Sequence, residues 1–188
     1  MAATLDLKDL YAEPQRWLGQ EVTVQGWIRN HRRQKSFGFI SFYDGTVLRD
    51  MQIVYDDRLP NYAEVQKWFI GSAISATGTL VQSQGKNQSI EIHASALTLE
   101  GASAEDYPLQ PKKHSLEYLR DIAYLRPRTK LFQAVFRVRS LAAQAIHDYF
   151  QQRGYVYVHS PLITANDAEG AGQTFQVTTL DLERVQGK

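Results

Sequence analysis

Over the first hundred residues, hydrophobic and polar positions alternate in short runs, the period-2 signature of strands with one buried face. Residues 20–29 put Val22, Val24 and Ile28 on one side and Thr23, Gln25, Trp27 and Arg29 on the other. In residues 36–43, Ile40 and Phe42 share a face, with Phe37, Phe39 and Ser41 opposite, and Asp44-Gly45 follows as a turn signal. Residues 50–55 give a third strand, with Met51 and Ile53 on one face and Gln52 and Val54 on the other. The alternation breaks over residues 61–69, where Tyr62, Val65, Trp68 and Phe69 fall at helical spacing. Two more strands, 72–81 and 89–96, carry Ile74, Ala76 and Leu80 and then Ile90, Ile92 and Ala94, joined by the polar loop 83–87. A leading helix is expected within residues 7–18, shortened or broken at Pro14 and stopped by Gly19. Three strands, a short helix and two strands follow the order of the five-stranded oligonucleotide/oligosaccharide-binding barrel, the OB-fold, although other small β-barrels share the pattern.

Beyond residue 100 the periodicity disappears, and Gly101, Pro108, Pro111 and Pro127 punctuate a linker-like stretch. A long helix is then expected from about 130 to 153, with Thr129 as N-cap and Gly154 as stop. Its apolar residues form two stripes, Leu131, Val135, Val138, Ala142 and Ile146 on one and Phe132, Phe136, Ala143 and Phe150 on the other. A helix apolar over so wide an arc needs cover on two sides. Residues 155–158 and 174–179 read as short strands, separated by a Gly-rich acidic loop, 167–172. One helix and two strands do not make a domain. The expected organisation is therefore a barrel over 1–100, a hinge over 101–128, and an incomplete α+β domain over 129–188.

Composition narrows the chemistry. With 188 residues, 43% of them hydrophobic and 11% aromatic, the chain has apolar material for a core. Cysteine is absent, which removes disulfides, thiolate metal sites and cysteine nucleophiles. There is no apolar run of membrane-spanning length and no basic leader at the start, so a cytoplasmic location is expected. The five histidines show no ligand-like spacing, so no metal site is expected. Walker loops, nucleophile elbows and dinucleotide fingerprints are also missing.

Net charge is only +1, from 21 Lys+Arg and 20 Asp+Glu, but its distribution is uneven. No acid occurs from residue 22 to residue 43, where Arg29, Arg32, Arg33 and Lys35 lie beside Phe37 and Phe39. Between residues 112 and 139 there are eight basic and two acidic residues, a local +6. Cations that follow a phosphate backbone, beside rings that stack on unpaired bases, are the means by which an OB barrel holds single-stranded nucleic acid. Gln52, on the non-core face of the third strand, can hydrogen-bond a base edge. The same residues are compatible with a second small core under Phe37 or Phe39 and a solvated basic loop. Glu169, with glycines after it, can bind an ammonium group or simply be a solvated loop residue.

Four segments together resemble the class II aminoacyl-tRNA synthetases of the aspartyl/asparaginyl/lysyl subgroup. They are Gly26-Trp27-Ile28-Arg29-Asn30-His31-Arg32, Phe37-Gly38-Phe39-Ile40-Ser41-Phe42 with Asp44-Gly45, Tyr118-Leu119-Arg120 through Tyr124-Leu125-Arg126-Pro127-Arg128-Thr129, and Phe136-Arg137-Val138-Arg139 to His159-Ser160-Pro161. The resemblance covers nearly the whole chain and implies an anticodon-binding OB barrel leading into a catalytic domain. The last segment is similar to the family's motif 1, a long helix and strand ending in a proline. The loop 164–172, with Phe175-Gln176-Val177-Thr178-Thr179, is similar to the asparaginyl branch; Ala168 and Gly172 depart from the aspartyl Pro-Glu-Gly-Ala-Arg pattern.

By this resemblance, Phe39 stacks on the central anticodon base, a uridine, while Arg32 and Gln52 make its polar contacts and Phe37 lends weaker support. The turn before Gln52 is two residues longer than in the aspartyl pattern. Glu169 is implied to hold the α-ammonium of the amino acid, and Pro161 and the long helix to form a homodimer interface. The implied partners are tRNA(Asn) and asparagine, with ATP and Mg2+ used by the complete enzyme, an asparagine-specific tRNA ligase. The ATP-binding motifs 2 and 3 are not among these residues, so the segment itself is expected to form no adenylate and to contain no catalytic residue. The alternatives are an aspartyl-type ligase and a non-catalytic module that binds tRNA or single strands.

Overall fold

The computed structural model describes residues 3–85, 88–161, 163 and 178–180. It divides into two compact units, residues 1–142 and 143–188.

The first unit is a closed barrel with short flanking elements. Strand β1 (Ala3–Thr4) and helices α1 (Leu7–Ala12) and α2 (Pro14–Trp17) precede it, the helices separated at Glu13 just before the proline. The barrel consists of β2 (Glu21–Arg33), β3 (Phe37–Tyr43), β4 (Met51–Asp56), β5 (Ala73–Gln82) and β6 (Ile90–Gly101), with α3 (Tyr62–Val65) between β4 and β5. The strand order β2-β3-β4-β6-β5 closes through pairing of β2 with β5, and all pairs are antiparallel except β4–β6. This is the five-stranded OB architecture expected from the sequence order.

Alternation decides the faces. Val22, Val24, Ile28, Ile40, Phe42, Met51, Ile53, Ala76, Leu80 and Ile92 have no exposed surface. Each fully buried Val, Ile or Leu contributes about 1.5–3 kcal/mol. Leu7, Leu10 and Val65, from α1 and α3, belong to the same core. Asp44 ties α1 to the barrel: its carboxylate accepts from the Leu7 N–H at 2.7 Å and from the Thr46 N–H at 2.8 Å. Gly45 takes φ +84° in that turn, where a side chain would be strained. Gly38 is small for another reason. A Cβ there would lie 2.3 Å from the Tyr55 ring, which packs over the β3 backbone.

After the barrel come α4 (Leu116–Asp121), capped by Ser115 accepting from the Tyr118 N–H at 3.2 Å, a 3-10 turn (Arg126–Arg128) and α5 (Lys130–Gln151). Thr129 caps α5, its hydroxyl accepting from the Phe132 N–H at 3.3 Å. Gly154 ends it with φ +81°, and the Tyr155 N–H reaches back to the Phe150 carbonyl at 3.2 Å. No residue of α5 is fully buried. In the second unit Arg153 lies 3.6 Å over the Tyr149 ring, and the His147 and Tyr157 rings meet edge to face at 4.8 Å. Residues 155–158 read as a strand in the sequence but pair with no strand among the described residues. The strand expected over 174–179 lies almost entirely outside the described residues.

Candidate nucleic-acid interface

The barrel's outer face between β2, β3, β4 and β6 depends on one irregularity. In β2, Ile28 pairs with Phe42 and Asn30 with Ser41, so Arg29 is an extra residue, a β-bulge. Because side chains alternate with period 2, one extra residue exchanges the faces of everything after it. His31 therefore points to the inner side opposite buried Ile40, and Arg32 stands on the outer face opposite Phe39. Strict alternation from Ile28 would have aimed Arg32 inward.

The ladders then align Arg32 with Phe39, Phe39 with Val54, Ser41 with Gln52, and Gln52 with Glu91. The Arg32 guanidinium lies 5.1 Å from the Phe39 ring centroid, and its Nη2 donates to Gln52 Oε1 at 3.4 Å. The Phe37 and Phe39 rings meet edge to face at 5.4 Å. Arg32, Phe39 and Gln52 line an open recess of about 210 Å³ together with Asn30, Ser41, Asp50 and Gln88. Three residues expected at one site thus share one concavity, with Phe37 packed against it. An arginine over a half-buried ring, with a carboxamide beside it, can take a planar base in a stack and read its edge.

Two of the remaining cations of the basic patch, Arg29 and Arg33, have structural work. Arg29 Nε lies 3.0 Å from Asp50 Oδ1, with its guanidinium 3.9 Å over the Tyr43 ring. Asp50 also meets Lys130 Nζ at 2.9 Å and accepts from the Ser41 hydroxyl at 3.2 Å. Arg33 Nη2 donates to the Trp68 carbonyl at 2.7 Å. Of the four basic residues, Arg32 alone lines the recess.

Behind the recess is a polar pair that sequence reasoning passed over. His31 Nδ1–H donates to the Trp68 carbonyl at 3.2 Å, which leaves Nε2 to accept from the Tyr55 hydroxyl at 2.6 Å. Burial lowers the His31 pKa to about 4, against the raising effect of the Trp68 carbonyl and with help from Arg33. Burial likewise pushes the Tyr55 hydroxyl up to about 12. Glu91 was also missed. Its Oε2 accepts from Gln52 Nε2 at 3.2 Å, Ser83 Oγ at 2.8 Å and Gln88 Nε2 at 2.9 Å, and its Oε1 meets His93 Nε2 at 3.1 Å. Its position on β6, one pairing step from Gln52, was available from the alternation; its partners were not.

A larger groove of about 680 Å³ lies between the barrel and the segment after it, with Arg29, Lys112, Lys113, Arg128 and Lys130 among its lining. Arg128 stacks 4.9 Å over Trp27. Glu169 lies outside the described residues. Pro161 is exposed, as are Val138, Leu141 and Ile146 of α5. Among the described residues no three His, Cys, Asp or Glu side chains converge as a metal site, and no helix is long and apolar enough to cross a membrane.

Comparison with known proteins gives two family matches. Residues 22–100 match the OB-fold nucleic acid binding domain, and residues 115–184 match the class II tRNA synthetases (D, K and N). The chain is 55% identical over 97% of its length to an asparagine–tRNA ligase of Acetivibrio thermocellus, and 54% identical over 94% to one of Clostridium acetobutylicum. It spans 39% and 38% of those proteins, about two fifths of the curated relatives it matches. In fold it is similar to an asparaginyl-tRNA synthetase from Pyrococcus horikoshii solved with asparaginyl-adenylate (TM-score 0.76, 22% identity, 88% of this chain and 39% of that one). A counterpart from Entamoeba histolytica, solved with the same adenylate, gives TM-score 0.72 at 19% identity over 88% of this chain and 39% of that one.

Proposed function

The chain belongs to the class II tRNA synthetases of the D, K and N group, and from that premise we propose that it is the N-terminal portion of an asparagine–tRNA ligase whose barrel binds the tRNA anticodon. The observation that carries the reading is the convergence of Arg32, Phe39 and Gln52 on one recess of the OB barrel, made possible by the bulge at Arg29. The identity of 50–55% to asparagine–tRNA ligases over nearly the whole chain supports the amino-acid assignment.

In this reading the central anticodon base, a uridine, stacks on Phe39, with Phe37 buttressing the ring edge-on. Arg32 and Gln52 face the polar edge of that base. The barrel occupies residues 1–100, residues 101–128 form a hinge, and residues 129–188 open the catalytic domain. Glu169 holds the α-ammonium of asparagine in the complete protein. Pro161 and the exposed apolar arc of α5 belong to a homodimer interface. The complete protein activates asparagine with ATP and Mg2+, charges tRNA(Asn), and works in the cytoplasm. No step involving ATP or Mg2+ is assigned to the described residues, and the 188-residue chain alone is expected to give no ATP–pyrophosphate exchange above background.

Titration of an anticodon stem-loop with a central U against the protein and its Phe39→Ala variant tests the reading. Loss of the stack weakens binding by about 1 to 3 kcal/mol. Unchanged affinity in a folded variant removes the base-stacking role.

A further inference from the structure

Three carboxamides line the recess, Asn30, Gln52 and Gln88, and a carboxamide such as Gln52 can turn over to exchange donor and acceptor. Its neighbours here prevent that exchange. Gln52 lies between Arg32, which only donates, and Glu91, which only accepts. Its oxygen must therefore face Arg32 and its nitrogen Glu91. Gln88 is fixed the same way, its Nε2 donating to Glu91 Oε2 at 2.9 Å and to Ser83 Oγ at 3.0 Å. Both N–H groups are then used, and the Gln88 oxygen accepts from no group among the described residues. The Glu91 side chain is only 13% exposed, and four polar groups converge on its two oxygens.

We infer that Glu91 is a positioning residue that fixes the hydrogen-bond polarity of the recess, so that Gln52 and Gln88 both present acceptor oxygens to the bound base. The inference rests on the anticodon-binding reading and deepens it. Uracil carries its one edge donor, N3–H, at the centre of the edge between two carbonyl oxygens. Cytosine has a bare N3 there and puts its donor on the exocyclic amine. For a ring held in place by its stack on Phe39, N3–H meets a carboxamide oxygen favourably, whereas bare N3 places two lone pairs face to face. Ordinarily an amide would turn over to meet cytosine, but with Glu91 in place turning over sets the oxygen of Gln52 or Gln88 against a carboxylate. Discrimination thus comes from a group that need not touch the base.

The test compares affinities for anticodon stem-loops with central U and central C, measured on the protein and on Glu91→Gln. The variant side chain is nearly isosteric but can donate as well as accept, which frees Gln88 to turn and leaves Gln52 held by Arg32 alone. The protein should bind central U at least tenfold tighter than central C, and Glu91→Gln should bring that ratio to about threefold or less, chiefly by improving binding of central C. A merely structural role would weaken both ligands alike and leave the ratio intact. Gln88→Ala, on the loop edge outside the strand ladders, is the second variant and should lower the ratio part of the way. A ratio within twofold of the parent's in folded Glu91→Gln, or in Gln88→Ala should the first not fold, overturns the inference alone. Failure of the parent protein to prefer central U overturns the anticodon reading, and this inference with it.

Discussion

The barrel and α5 are both built from markedly apolar segments, yet the barrel buries its apolar groups and the helix does not. Val22, Val24, Ile28, Ile40 and Ile53 have no exposed surface, whereas Val138, Leu141 and Ile146 are 65%, 70% and 60% exposed. The difference follows from closure. Five strands that return on themselves through the β2–β5 pairing enclose one face of every strand. A single helix encloses nothing, and an apolar arc of this width marks a surface that another element covers. Function divides along the same line: the closed barrel holds a finished recess on its outer face, while the helix presents the face proposed to pair with a second copy.

Substitution on the two sides should expose this contrast most sharply. Phe42→Ala, in the middle of the barrel core, is expected to lower the unfolding free energy by about 3 to 5 kcal/mol, read from urea denaturation. Leu141→Ala on α5 should stay within about 0.5 kcal/mol in the same measurement on dilute protein. Equal costs would mean that the helix face is already covered in the isolated chain.

Acid provides a second contrast within the barrel. The His31 pKa falls from 6.5 in the unfolded chain to about 4 in the folded one. Above pH 6.5 both states are neutral there and the group has no effect on the pH dependence. Between 6.5 and about 4 the unfolded state takes up the proton first, so stability falls with pH, by at most roughly 1.4 kcal/mol per unit. The slope should be missing in His31→Gln, and an unchanged acid slope in that variant would show that other groups set it.

The smallest effect separates neighbours that are close in sequence. Arg29→Ala leaves Asp50 with Lys130 and the Ser41 hydroxyl, and is expected to cost about 1 to 3 kcal/mol of stability, read by denaturation, with stem-loop affinity preserved within a fewfold. Arg32→Ala should do the reverse, weakening the stem-loop while leaving the denaturation midpoint nearly unmoved. Loss of both properties in either variant would join the two arginines into one site.

Most of the barrel was legible because period 2 is a strong signal where one face is buried: Ile40 against Phe39 and Met51 against Gln52 are separated correctly by alternation alone. The caps of α5 at Thr129 and Gly154 were legible because their chemistry is local. The bulge was not, since an extra residue in one strand shows only against its partner, Phe42 and Ser41 in β3. For that reason the patch Arg29, Arg32, Arg33 and Lys35 read as one surface, and the structure divides it into Arg32, which lines the recess, and tethers at Arg29 and Arg33. His31 and Glu91 escaped notice because neither belongs to a spacing motif. His31 takes its meaning from partners 24 and 37 residues away, and the Glu91 bond that reaches the recess strand goes to Gln52, 39 residues away.

The proposed placement of the base on the outer face can be tested directly. An anticodon stem-loop carrying 5-iodouridine at its central position is bound to the protein, irradiated, and the crosslinked peptide identified by mass spectrometry. Stacking on the β3 ring predicts a single dominant crosslink at Phe39, lost in Phe39→Ala. A dominant crosslink in the groove at Tyr107 or Tyr43, unaffected by that substitution, would contradict it.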